Sequence, residues 1–397
     1  MRSENGDQPS IGIAGASARA AAFSAIRAGF DPVCWDLYGD VDLAAAATAR
    51  SVPALDDPDL LQEAARAGNP LIYTGGVENH PDWIEAAQQQ APLWGNTAEV
   101  VRRVRDPHDV VERLRETRLP ALDVRPESDP PPRDGTWLLK PLCGAGGRGV
   151  VRWTSNAAEH ATLREPHYFQ RLAEGEAYSA VFVGHEPPGD VNFVGITRQV
   201  IGWAPLHAPE FAWCGSVGPT ALEVGSEHLM RRFGNILMWK FRLRGLFGCD
   251  FVVDSDGTPW LTEINPRYPA SAEVFELACG FTLLRSHAAA FGSTWEGEGR
   301  RFRTSLDGLV GKGVLFAERD FEMPEVPVSS IARPEDSLGR IADVTAPGTL
   351  VRAGQPVCTF LVDGKTEQAV LDALAGAAAA FESLLGTPAG ATNGRPA

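Results

Sequence analysis

Residues 249–270 read CDFVVDSDGTPWLTEINPRYPA. The apolar residues of Leu246 to Asp254 and of Thr258 to Pro266 suit two strands, and Asp254-Ser255-Asp256-Gly257 between them is a turn signal. With Ser255 and Asp256 as a two-residue loop, Asp250 stands opposite Leu261, and strand alternation places Glu263 and Asn265 on the same face. Glu263 is then a diagonal neighbour, roughly 7–8 Å from Asp250. Two carboxylates and an amide oxygen on one face, among Val252 and Leu261, repel unless a cation lies between them. Hard oxygen ligands in that number suit Mg²⁺, whose shell phosphate and water complete. The plain alternative is a surface hairpin with scattered acids.

Working outward, Leu138-Leu139-Lys140-Pro141 ends a strand and Gly144-Ala145-Gly146-Gly147-Arg148-Gly149 follows. The glycine spacing formally contains GxGxxG, but a dinucleotide fold needs a helix next, and Val150-Val151-Arg152-Trp153 is strand-like. A glycine-rich turn between strands acts instead as a flap whose N–H groups close over phosphates. Lys140 offers a point charge to the α/β-phosphates. An ordinary glycine-rich hairpin is the competing reading, and the acidic hairpin downstream weighs against it. Between the two lies His167 to Glu176, a short strand running into a turn, able to present backbone groups to an adenine edge.

Composition fits a soluble globular chain of 397 residues, long enough for two or three domains: 44% hydrophobic and 22% charged. A formal net charge of −15 argues against nucleic acid or an anionic membrane as partner. The six cysteines show no metal-ligand spacing, the first residues carry no signal pattern, and no apolar run approaches the roughly 20 residues of a spanning helix. A cytoplasmic protein is expected.

Strands at Ile11–Ile13, Pro32–Leu37 and Leu71–Thr74 alternate with helices, which predicts a small parallel α/β domain over 8–95. Gly12, Gly15 and Asp36 mimic part of a dinucleotide fingerprint without its spacing, so a tight strand-to-helix turn is preferred. One amphipathic helix is expected over 97–118, another over 157–164 and a long one over 226–244. Residues 300–365 are strand-like, followed by a short Ala-rich helix. The tail over 386–397 is expected to be disordered.

Taken in order, these pieces resemble the ATP-grasp superfamily: a small α/β domain, the K-P…G-A-G-G-R-G flap, the Y-F-Q-R-L-A-E-G hinge and the D…E-I-N-P-R hairpin. The resemblance implies an α/β (α+β ATP-grasp) fold: a Rossmann-like pre-ATP-grasp domain over 8–95, an ATP-grasp domain over 96–300 with its flap and hinge subdomain near 125–185, and a small C-terminal β domain over 301–366. It implies an ATP-dependent ligase joining small-molecule carboxylate and amine substrates through an acyl phosphate. Carried over by position, Asp250, Glu263 and Asn265 hold one or two Mg²⁺, with Mn²⁺ as a substitute. Lys140 contacts phosphates, Gly144, Gly146, Gly147 and Gly149 cover them, and the backbone of Gln170, Arg171 and Leu172 holds adenine. Arg267 and Lys140 are the catalytic cations. Glu176 stands beside the position that often holds the ribose.

Two departures matter. Pro107 stands where many members carry a further ATP-binding lysine, leaving Arg102, Arg103 or Arg105 as substitutes, and Ala177 occupies the usual ribose-glutamate position. Within the superfamily the chain looks more loosely like the ATP-grasp proteins of methanofuran and tetrahydromethanopterin synthesis, of the tyramine–glutamate ligase type. That implies glutamate addition to a pterin- or furan-type precursor, with Tyr268, Ser271 and Glu273 facing substrate. The alternatives are a biotin-carboxylase-like or purine-pathway carboxylase and a non-catalytic ATP sensor. A biotin carrier role for 341–362 lacks its hairpin-tip lysine, since Lys365 lies beyond the strand. His207 and His228 are the histidines to follow, and a homodimer is the assembly to test.

Overall fold

A computed structural model describes residues 8–385 apart from 58, 61, 64–68, 156–165, 187–188, 298 and 306–307. The helix expected over 157–164 and the tail over 386–397 therefore lie outside the described residues.

The chain opens with four parallel strands, β1 (Ser10–Gly15), β2 (Asp31–Asp36), β3 (Thr48–Ser51) and β4 (Leu71–Tyr73), in the order β3-β2-β1-β4. Helices α1 (Arg19–Arg27), α2 (Val41–Ala46) and α3 (Pro81–Gln90) accompany them. Ile11, Ile13, Cys34 and Ile72 pack on one face with Ala21 and Ala25, while Ala14, Trp35, Leu71 and Tyr73 pack on the other with Trp83 and Ile84. Burial on both faces is what helical crossovers between parallel strands produce. The partial dinucleotide fingerprint has a packing explanation. A Cβ on Gly15 would come within 1.8 Å of Thr74 Oγ1, and buried Asp36 accepts the N–H groups of Ala18, Tyr38 and Gly39.

The helix expected over 97–118 is two helices, α4 (Ala98–Val104) and α5 (Pro107–Glu116). Pro107 has no N–H to continue a helix but suits the first turn of a new one, and Asp106 caps it by accepting from His108 N at 2.8 Å. An antiparallel flap sheet follows, β5 (Val124–Pro126), β6 (Asp134–Pro141), β7 (Val151–Thr154) and β8 (His167–Arg171), ordered β5-β8-β6-β7. Trp137, Leu139, Trp153 and Phe169 form its small core.

The remaining strands are β9 (Glu176–Gly184), β10 (Val191–Ile201), β11 (Trp213–Thr220), β12 (Gly245–Val253), β13 (Pro259–Asn265), β14 (Leu309–Phe316), β15 (Phe321–Glu322), β16 (Arg340–Ala342), β17 (Leu350–Val351) and β18 (Pro356–Gly364). All but the β15–β17 pair join one sheet, ordered β13-β12-β9-β10-β11-β14-β18-β16. The stretch 301–366 thus supplies three strands to the same sheet that carries the acidic hairpin. Alternation along β9 sends Ala180 and Phe182 toward helix α6 (Val224–Phe241), with its Phe233, Leu237 and Phe241. It sends Val181 and Val183 toward α7 (Ala272–Cys279) and α8 (Leu283–Ala290), through Phe275 and Leu284. Each of the larger side chains among these, Val, Leu or Phe, contributes about 1.5–3 kcal/mol on burial.

The C-terminal helix α9 (Glu367–Leu385) is longer than expected, and its length and mean hydropathy of 1.3 meet the requirement for crossing a bilayer, which corrects the expectation that no stretch does. Its Val370, Leu374, Ala378 and Phe381 are buried, packed with β14 and β18.

Candidate active site

The hairpin β12–β13 builds one wall. Val253 pairs with Pro259, so the turn is Asp254 to Thr258 and not the expected two-residue loop. Gly257 takes φ +78°, and the Asp254 carboxylate accepts the N–H groups of Asp256 and Thr258 at 3.0 and 2.9 Å. A bulge then leaves Thr262 as the extra residue, because Phe251 pairs with Leu261 and Asp250 with Glu263. The longer turn moves the register one step and the bulge another, and two steps restore the original face. Asp250 therefore faces Glu263 directly, with Cβ atoms about 4.5–5.5 Å apart, closer than the diagonal spacing expected. Burial, then the Glu263 charge, pushes the Asp250 carboxyl up to about 6, against hydrogen bonds from Ser179 and Asn265 and the nearby Arg267 charge.

Arginines compensate this acid pair. Arg105 Nη1 donates to Glu263 Oε1 at 2.8 Å, while Nη2 reaches Asn79 Oδ1 at 3.0 Å, Leu142 O at 3.2 Å and Gly144 O at 2.8 Å. Of the three arginines left open by the sequence, Arg105 is the one in the site. Arg102 pairs at the surface with Asp82 and Glu85, and Arg103 pairs with Asp109 and lies over Phe241. Buried Asn265 donates to Asp250 Oδ2 at 2.9 Å and accepts from Arg267 Nη2 at 2.9 Å. The amide oxygen expected to face a cation is thus engaged by Arg267, with its second lone pair remaining. Arg267 Nε in turn donates to buried Glu78 Oε1 at 3.0 Å.

Across the cleft, Lys140 Nζ donates to Gln170 Oε1 and to Thr262 O, both at 3.0 Å, bridging flap sheet and hairpin. Gly146, Gly147 and Gly149 adopt φ of +61°, +75° and +80°, conformations side chains resist. A Cβ on Gly147 would sit 1.9 Å from Phe211 O, and Trp213 N donates to Gly146 O at 2.9 Å, so the flap is seated on the 211–213 segment.

The hinge differs in detail from expectation. The N–H of Arg171 is donated to Asp123 O at 2.8 Å and that of Leu172 to Thr136 O at 3.0 Å. Those two donors serve the flap sheet, and Ala173 is the next residue along the cleft wall. Gly175, Ala177 and Ser179 line the cleft, so alternation turns Glu176 away, where it pairs with Arg198 at 3.1 Å. The structure does not bring Glu176 to the site. Of the residues expected to face substrate, Ser271 lines the cleft with a buried Oγ that has no hydrogen-bond partner among the described residues. Tyr268 is buried in the apolar cluster between α7 and the N-terminal sheet. Glu273 is fully buried, held by Arg19 through both oxygens and by Lys312 Nζ at 2.9 Å. Burial alone would raise its carboxyl, but the Arg19 and Lys312 charges outweigh that and lower it to about 2. His207 sits between Glu318 and Glu382, and His228 is exposed.

The cleft measures about 960 Å³ and runs from the hinge past Lys140, the flap and the hairpin to Ser271, Gln199, Trp213 and Phe316. That is the upper end of ordinary ligand pockets and leaves room for a nucleotide beside a second reactant.

Residues 105–271 match the sequence model of the ATP-grasp domain. The chain carries an ATP-grasp domain. The match runs from Arg105 to Ser271 and takes in flap, hinge and hairpin. The chain is also similar to an N5-carboxyaminoimidazole ribonucleotide synthase of Brucella melitensis biotype 1, 25% identical over 307 residues, which are 70% of this chain and 79% of that protein. The ADP complex of an N5-carboxyaminoimidazole ribonucleotide synthetase shares its fold, with a TM-score of 0.69 at 15% identity over 95% of this chain and 98% of the other. An L-amino acid ligase from Bacillus licheniformis gives 0.68 at 14% identity over 95% and 98%. Biotin carboxylase from Campylobacter jejuni gives 0.64 at 13% over 91% and 89%. The fold likeness to these structures extends well beyond residues 105–271.

Among the described residues no group of three or more His, Cys, Asp or Glu side chains forms a metal nest. The ATP-grasp hairpin instead offers two close carboxylates and an amide, a donor set that fits a divalent cation shared with phosphate. Sequence reasoning missed Glu78 and Asn79, which stand just past β4, where ligand loops of open parallel sheets gather. It also missed Ser179 and the flap seat at Phe211 to Trp213, for which no local signal exists.

Proposed function

We propose that this protein is an ATP- and Mg²⁺-dependent ligase that joins a carboxylate to an amine through an acyl phosphate. The observation that carries this is one cleft, lined by the glycine flap, in which Arg105 pairs with Glu263, Arg267 bonds the Asn265 that holds Asp250, and Lys140 bonds the hairpin carbonyl of Thr262. Phosphoryl transfer is mostly positioning plus charge neutralisation, and these groups are suited to it. Asp250, Glu263 and the Asn265 amide oxygen would hold Mg²⁺ or Mn²⁺, which would supply charge neutralisation for the phosphates. A carboxylate oxygen attacks the γ-phosphorus and the bond to ADP breaks. The amine nitrogen then attacks the acyl carbon, phosphate leaves with its oxygen, and the nitrogen gives up a proton. Lys140 and the flap N–H groups hold the triphosphate, and Arg267 places charge beside the transferring group. Ser271 Oγ, a buried hydroxyl in the cleft wall, is assigned to the second reactant.

For the acid, the likeness to N5-carboxyaminoimidazole ribonucleotide synthases and biotin carboxylase favours bicarbonate over glutamate addition to a pterin or furan precursor. An amino acid is the second reading, supported by the L-amino acid ligase fold. ADP release measured with bicarbonate or amino acids, each with and without a panel of amines, tests both. Bicarbonate-dependent release coupled to amine consumption is expected. Nucleotide binding without ADP release under any combination would favour a sensor and overturn the ligase reading.

A further inference from the structure

We infer that the turn Val77–Asn79 is a positioning device that aims two arginines at the acidic hairpin, each by its own residue. This 3₁₀ turn follows β4, and Gly76 enters it at φ +97°. Glu78 Oε1 accepts from Arg267 Nε at 3.0 Å, and the same guanidinium bonds Asn265 Oδ1 at 2.9 Å. Asn79 Oδ1 accepts from Arg105 Nη2 at 3.0 Å, and that guanidinium bonds Glu263 Oε1 at 2.8 Å and the flap carbonyl of Gly144 at 2.8 Å. Adjacent residues of the N-terminal unit therefore hold the two cations that meet successive same-face residues of β13.

Burial makes the hold specific. Glu78 is 2% exposed and its Oε2 has no hydrogen-bond partner among the described residues, so the hydrogen bond its carboxylate makes is the one to Arg267. A long arginine loses rotamer freedom when it must hold one geometry, and a fixed acceptor at its base supplies that order beforehand. Glu78 and Asn79 touch no reacting atom in this account; they act through Arg267 and Arg105.

The inference rests on the nucleotide site proposed above, and double-mutant cycles separate the two. Titrating Mg²⁺ and the non-hydrolysable analogue AMP-PNP by calorimetry reads affinity without turnover. Asn79→Ala should weaken binding about tenfold to 100-fold, the span of one charge-assisted hydrogen bond. Added to Arg105→Ala, it should change affinity by less than about twofold, because its effect passes through that arginine. Glu78→Gln, which keeps the shape, should lower kcat with AMP-PNP affinity nearly unchanged, and should add little to Arg267→Ala. Independent, multiplying effects in both cycles, or equal losses in binding and kcat for both single variants, would overturn the positioning role. A wild-type protein that binds AMP-PNP yet releases no ADP would sink the ligase reading and leave the Asn79–Arg105 cycle to decide this one.

Discussion

Asp250 faces Glu263 across the bulge, and burial together with that like charge works against its ionisation. Asp250→Asn keeps the hydrogen-bonding shape and removes the repulsion. It should lower ADP release about 100-fold or more while the thermal midpoint stays level or rises, which paired turnover and melting measurements check. Near wild-type turnover would remove the metal assignment. Lys140→Ala should raise the KM for ATP about tenfold or more with a smaller change in kcat, since two bonds of one cation to the hinge and hairpin are lost. At this scale the acid–amide set was legible because strand period and turn chemistry are local. Arg105 was not singled out from Arg102 and Arg103, since which of three neighbouring arginines turns inward depends on Asn79 and Glu263, far along the chain.

Among elements, the flap makes a sharp test. Gly147→Ala meets both a left-handed backbone and the Phe211 carbonyl, so the flap cannot seat as it does. AMP-PNP affinity should fall about tenfold while the melting temperature changes little, because the strain falls on a segment away from the core. Helix α8 offers a pH test. His287 accepts Leu246 N–H at Nδ1 (2.9 Å) and meets Trp94 O at Nε2 (2.8 Å), and burial pushes its imidazole down to about 4. The unfolded chain takes up that proton near pH 6.5. The stability it confers is therefore complete above about pH 6.5 and lost as pH falls toward 4, amounting to about 3 kcal/mol. Melting curves of wild type and His287→Gln over that window should converge; parallel curves would deny the role. The hairpin, flap and α6 were legible from spacing. The turn length, the bulge and the break at Pro107 were placed differently, because ladder register and capping are settled by neighbouring strands and by the Asp106 side chain.

For the whole molecule, a buried ionic knot joins what the sequence keeps apart. Arg19 of α1 meets Glu273 of α7 and Asp343 beyond β16, and Lys312 of β14 meets Glu273. Glu273→Ala leaves Arg19 and Lys312 buried with a partner removed, and should cost about 3–5 kcal/mol in urea unfolding. An unchanged stability would return Glu273 to a role in binding substrate. Contacts over 300 residues apart, like the joining of β14, β16 and β18 to the hairpin's sheet, leave no local pattern to read. The central claim is that a carboxylate is phosphorylated in the cleft between flap and hairpin. The direct measurement supplies the acid that drives ADP release with ¹⁸O in its carboxylate and follows the label by ³¹P NMR. Transfer of ¹⁸O into inorganic phosphate is predicted; ADP release with unlabelled phosphate alone would contradict it.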